Sequence, residues 1–142
     1  MAISRADTHA TRFLNVDLDV YSRSDLEPLV ALLGRKVTVL YSGMDKRCYR
    51  AHLEVAKFYK SADTTARALC SLIEALPPAG RELWNNATNR DFNIGVEAGF
   101  RPFATEFVLS AATVQSVASL GARIVFTVYA PAMPETRSGS RK

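Results

Sequence analysis

The stretch LNVDLDV, residues 14–20, leaves few folds open to the chain. Leu14, Val16, Leu18 and Val20 alternate strictly with Asn15, Asp17 and Asp19. Successive side chains of a strand point to opposite faces, so this period sends one set into a core and the other into water. A helix would scatter both sets around its circumference. The chain must therefore build a sheet with one apolar side and one wet side, and other elements must cover the apolar side.

The rest of the sequence supplies those elements. SRSDLEPLVALLG reads as a short helix, with Ser24 and Glu27 as a capping box, Leu26, Leu29, Val30 and Leu33 as its stripe, and Gly34 past its end. KVTVLY (36–41) is a second strand, and the region around Gly43 is a turn. From Cys48 the alternation returns: Tyr49, Ala51, Leu53 and Val55 face inward, Arg50, His52 and Glu54 outward. Ser61 or Asp63 caps a long helix carrying Ala66, Leu69, Cys70, Ile73 and Leu76, which Pro77 and Pro78 stop. RELWNNA (81–87) is a short helix that packs Trp84 against the body. DFNIGVE (91–97) alternates again, with Phe92, Ile94 and Val96 inward, and FATEFVL (103–109) is its expected partner strand. Ser110 caps a helix that Gly121 closes, and RIVFTVY (123–129) is the last strand.

The order β-α-β-β-α-α-β-β-α-β predicts an α+β two-layer sandwich: a mostly antiparallel sheet of about six strands with helices on one face. LVALLGRKVTVLY and VASLGARIVFTVY match in outline, with Gly34 answering Gly121. The match reads either as an internal duplication or as the common punctuation of a β-α-β unit. Residues 13–130 form one domain on this reading, between a flexible N-terminal arm (1–12) and a flexible basic tail (131–142).

Charge narrows the partners. The formal net charge is +4, but the first twelve residues carry +1 and the last twelve +2, which leaves +1 for residues 13–130. A nearly neutral body has no phosphate-binding face, and the aromatic residues Phe92, Phe107 and Phe126 fall at inward positions, so nucleic acid is not expected as a partner. No apolar run approaches the ~20 residues of a membrane span. The N-terminus lacks an apolar leader core, so a cytoplasmic location is expected. Cys48 and Cys70 form neither a disulfide framework nor a zinc motif.

RDFNIGVEAGF (90–100) holds Gly95 and Gly99, which raises the question of a phosphate loop. Such a loop needs a helix N-terminus directly after the glycines, and FRPFATEFVL reads instead as a strand. Gly95 is therefore expected inside a strand and Gly99 at a hairpin turn. No cofactor and no metal ion are expected from the motifs present.

The candidate site is the outward sheet face: Asp17, Asp19, Arg50, His52, Glu54, Asn93 and Glu97, joined by Tyr21 and Thr127. His52 titrates near neutrality and suits proton transfer. Asp17 and Asp19, roughly 6.6 Å apart along a strand, have the spacing of a carboxylate pair. Cys48 is roughly 13 Å from His52 along a regular strand, too far for a Cys–His pair. The same residues also describe an ordinary solvated face of cross-strand pairs.

Taken together, VDLDVYSRSDLEPLVALLG, FNIGVEAG and FVLSAATVQSVASLGARIVFTVY resemble the bacterial family catalogued as domain of unknown function 4279, over most of residues 13–129. The resemblance implies a small bacterial cytoplasmic α+β domain and carries over no catalytic residue. Where that family has proline-threonine after its first helix, this chain has Arg35-Lys36-Val37, and its central tryptophan strand has no clear counterpart near Glu54 to Phe58.

These observations point to a non-enzymatic binding or protein-interaction domain that uses the polar sheet face or an unpaired sheet edge. One concrete form is a protein that neutralises a bacterial toxin by covering its active site. The alternative is a small enzyme using His52 with Asp17, Asp19 or Glu54, which requires those groups to converge in a concave pocket. Homodimerisation through the same face or a sheet edge is the third reading.

Overall fold

The computed structural model describes residues 10–131. Five strands, β1 (Arg12–Ser22), β2 (Val37–Asp45), β3 (Cys48–Val55), β4 (Asn89–Glu97) and β5 (Arg123–Tyr129), form one sheet in the order β2-β3-β1-β4-β5. Neighbours are antiparallel except β4 and β5, which are parallel. Helices α1 (Glu27–Leu33), α2 (Ala62–Glu74), α3 (Pro78–Asn85) and α4 (Ala111–Ser119) complete an α+β fold. No helix among the described residues is long and apolar enough to cross a membrane.

Period-two patterning decides which side is covered. Val16, Leu18 and Val20 on β1, Ala51, Leu53 and Val55 on β3, and Phe92, Ile94 and Val96 on β4 are buried, while their alternates, apart from the buried Asp91, stay partly open to solvent. The buried residues of α1, α2 and α4, Leu29, Leu69, Ile73 and Val117 among them, join the same core. Helices therefore shield one face only. Leu14 departs from the pattern: the β1–β4 register slips between Phe13 and Asn15, so Phe13 packs on the core in its place. An extra residue in one strand of a pair is a β-bulge, which alternation cannot see because it changes the phase.

The sheet has five strands where about six are predicted from the sequence. Residues 103–109 alternate but form no strand; Phe107 and Leu109 touch the core, and Phe103 is fully exposed. Both hydrogen-bonding edges of β4, the partner expected for that segment, are taken by β1 and β5. Gly99 accordingly makes no hairpin; its N–H donates to Thr11 Oγ1 at 3.0 Å. The capping box at Ser24 does not form either. With Ser24 as the N-cap, Pro28 would occupy the position whose N–H closes the first helical bond, and proline has none. The helix begins at Glu27, whose N–H donates to Asp25 Oδ1 at 2.9 Å.

The two β-α-β ends differ in the sheet. β3 lies between β1 and β2, whereas β4 and β5 are direct neighbours. Gly34 and Gly121 both follow their helices with positive φ, 57° and 69°. Most of the arm and of the tail lies outside the described residues. Of the parts described, Ala10 bridges to Arg101 and Arg12 opens β1.

Ser61 caps α2 and Ser110 caps α4, each accepting the backbone N–H of the third residue of its helix, Thr64 and Thr113. Asp63 ties the two helix starts together. Its Oδ1 accepts the Ser110 N–H at 2.8 Å, and its Oδ2 accepts from Arg67 Nη2 at 2.9 Å. The Ser110 amide, and then the Thr113 hydroxyl, hold the Asp63 carboxyl below its ordinary 3.8. A carboxyl depressed in the folded state stabilises the fold above its unfolded pKa, and that contribution fades as pH falls through the folded value. Asp63→Ala is expected to cost about 1–2 kcal/mol at neutral pH. The gap between variant and parent should close in acid; urea unfolding at both ends of that range checks this, and a gap that widens in acid contradicts it.

Candidate functional site

The outward face of the sheet carries every residue singled out from the sequence. Asp17, Asp19 and Tyr21 stand on β1, Arg50, His52 and Glu54 on β3, Asn93 and Glu97 on β4, and Thr127 on β5. Register sets their neighbours. Directly opposite one another lie Asp17 and Glu54, Asp19 and His52, and Tyr21 and Arg50 across β1–β3, and Asp19 and Asp91 across β1–β4. Two of these are like-charged pairs, an arrangement that destabilises a sheet unless counter-groups intervene.

The counter-groups come diagonally. Asn15 Nδ2 donates to Glu54 Oε2 at 2.9 Å, His52 Nε2 lies 3.0 Å from Asp17 Oδ2, and Arg50 grips Asp19 through Nε and Nη2 at 2.9 and 3.1 Å. In each case the β3 side chain reaches the β1 residue two positions before its direct partner. On the other flank Arg123 clasps Asp91 at 2.8 and 3.0 Å. Thr127 donates to Asn93 Oδ1 at 2.7 Å, and Arg12 pairs with Glu97 at 3.3 Å.

Electrostatics follow the pairing. The Asp19 carboxylate raises the Arg50 guanidinium. Partial burial, and then Asp19, push the Tyr21 phenol up. The hydrogen bonds of Arg123 hold Asp91 below the usual carboxylate range, with Asn89 assisting. Arg50 also lies over the rings of Tyr21 and Tyr41, 5.4 and 5.8 Å from their centroids. Replacing Arg123 with Met leaves Asp91 facing Asp19 without its counter-charge. The Asp91 carboxyl is expected to titrate at higher pH in that variant, as read by carboxyl-carbon NMR; an unmoved titration would show that Arg123 does not set it.

The predicted residues thus share a face but do not converge. Glu97 is four positions along β4 from Asn93, roughly 13 Å. Among the described residues the His52 ring makes no other hydrogen bond, and Cys48 turns to the carbonyl of Asp45 at 3.6 Å. A carboxylate can orient an imidazole, yet general-base catalysis also needs the proton it removes within reach. No three of His, Cys, Asp and Glu among the described residues stand close enough to hold a metal ion. Neither Gly95 nor Gly99 leads directly into a helix, since the next helix starts at Ala111.

Two features escape the sequence reading. Asp91, Arg123 and Asn15 complete the face; all three already fall within the strands read from the sequence, but alternation alone does not mark them as members of the site. The second feature is a hollow of about 440 Å³ on the helix side, lined by Lys36, Val55, Ala56, Lys57, Tyr59, Ala68, Ser71 and Leu72. Its signal in the sequence is Lys57-Phe58-Tyr59-Lys60, two basic residues flanking two aromatic ones.

The two sheet edges are unlike. β2 carries a bulge between Val39 and Tyr41, a device that spoils strand addition. β5 follows β4 in unbroken register over its seven residues and has no charged side chain after Arg123. Phe126, Val128 and Tyr129 are 57%, 63% and 54% exposed. Phe126 is expected inward and does share the helix side with Ile94, but at the rim no helix buries it. The chain matches no family model, no curated protein and no solved structure.

Proposed function

We propose that this protein is a non-enzymatic interaction domain whose contact element is the edge strand β5, and that the strand it takes up is β5 of a second copy. The observation that carries the reading is a regular, uncharged edge from Ile124 to Tyr129 with three large apolar or aromatic side chains half exposed or more. Such an edge offers unpaired backbone donors and acceptors along a straight line, and proteins that avoid association break it with charge, proline or a bulge. The opposite edge has its bulge; β5 has none of these devices.

Two-fold antiparallel pairing centred on Phe126 sets Ile124 against Val128 and Val125 against Thr127. Arg123 then meets Tyr129 of the second copy, cation against aromatic ring. The two Arg123 residues stand at opposite ends of the junction and are already paired with Asp91, so no like charges meet. Each copy also covers the exposed Phe126 and Val128 of the other, removing apolar surface from water. The polar face contributes little, because its acids and bases already satisfy one another. Unpaired Cys48 and Cys70 suit the reducing interior of a cell, where such a domain would work.

Light scattering across a dilution series tests the reading. The expected mass is that of two chains at high concentration, falling toward one chain as the solution is diluted through roughly micromolar concentration. A single-chain mass throughout would overturn it.

A further inference from the structure

The hollow beside α2 is independent of the β5 edge, and its chemistry is of a different kind. One wall is the α2 face formed by Ala68, Ser71 and Leu72, spaced three and four residues apart as one side of a helix requires. The other wall is the end of β3 and the segment after it, Val55, Ala56, Lys57 and Tyr59. Lys36, at the end of the 3-10 turn Gly34–Lys36, closes the rim, and its carbonyl accepts the Ala56 N–H at 3.0 Å, which fixes the two strands' junction. Small side chains at Ala56, Ala68 and Ser71 leave the space open.

Charge separates this place from the sheet face. On that face Arg12, Arg50 and Arg123 are all matched to carboxylates. Lys36 and Lys57 line the hollow without an acidic residue among its lining, and neither makes an ion pair among the described residues. The Lys57 ammonium lies instead 5.4 Å from the centroid of the Tyr59 ring. An apolar floor under two uncompensated ammonium groups is complementary to a molecule with a greasy body and one anionic end. The volume falls in the range of small-ligand sites, about 300–1,000 Å³.

We infer that the hollow between α2 and the end of β3 binds a small amphipathic carboxylate, its hydrocarbon against Val55, Tyr59, Ala68 and Leu72 and its carboxylate between Lys36 and Lys57. Phenylbutyrate is the probe, with phenylbutanol as its uncharged counterpart, each titrated into the full chain and followed by backbone amide NMR. Saturable shifts are expected at residues 55–59 and 68–72 and at Lys36, and phenylbutanol should bind at least tenfold more weakly. The double variant Lys36→Glu with Lys57→Glu should weaken phenylbutyrate at least tenfold and leave phenylbutanol unchanged. Ala68→Phe fills the hollow, keeps both lysines and should abolish both. Both variants alter exposed or half-exposed positions, and their NMR spectra report directly whether the fold persists. Absence of saturable shifts, shifts that map elsewhere, or equal binding of acid and alcohol would each overturn the assignment. Charge substitutions on β5 should leave this binding intact, so the two proposals fail separately.

Discussion

Trp84→Ala is expected to lower the free energy of unfolding by about 3–5 kcal/mol, the cost of emptying a large, fully enclosed aromatic site. For a domain of this size the melting temperature should fall by roughly 10–20 °C. The indole does more than fill space. Its Nε1–H donates to the carbonyl of Leu120 at 2.9 Å, one of the carbonyls that the end of α4 leaves without a helical partner. The Arg90 guanidinium lies 5.9 Å from the ring centroid and donates to the carbonyls of Trp84, Asn85, Ala87 and Gly121, at 2.8 to 3.3 Å. Trp84 and Arg90 together tie the ends of α3 and α4 to β4. Trp84→Phe keeps most of the volume and loses the donor, so it should cost less, about 1–3 kcal/mol, with an unsatisfied Leu120 carbonyl as the main cause. Urea unfolding of the three proteins measures both steps. Equal stability of the parent and Trp84→Phe would show that the hydrogen bond adds nothing.

The second large effect concerns association. Phe126→Lys with Val128→Lys is expected to weaken self-association by at least about a hundredfold, beyond what a dilution series can reach. The cations at position 126 would face one another directly, those at position 128 would stand opposite Ile124 on the same side of the junction, and the apolar cover would be lost. Both positions are more than half exposed, so the fold of the single chain should persist with an unchanged circular dichroism spectrum. Neutralising the polar face, by His52→Gln with Asp17→Asn, should leave the mass distribution of the parent unaltered. An interaction lost in this second variant and kept in the first would move the contact to the sheet face.

Much of this architecture is visible in the residues themselves, and the reasons differ by element. β1 and β4 declare themselves because their sides meet different solvents, so the two-residue period survives in the sequence. Ser110 and Gly121 bound α4 through backbone needs that few other residues meet as well. Leu14 is misplaced because a bulge shifts the phase without altering composition. Residues 103–109 have the pattern of a strand, but pattern does not say whether a hydrogen-bonding partner is free. The members of the candidate site follow from alternation alone. Their mutual saturation depends on the register of β1 against β3 and β4, which no single strand contains. The hollow at Tyr59 requires α2 and β3 to be placed side by side.

The central claim, that β5 is the working surface and the polar face is paired off within the chain, is tested most directly by hydrogen exchange at two protein concentrations. Amides of residues 123–129 should exchange more slowly in the concentrated sample, with β2 and the polar-face strands β1 and β3 unaffected. Protection that appears at residues 37–45 instead, or no change with concentration anywhere, would contradict it.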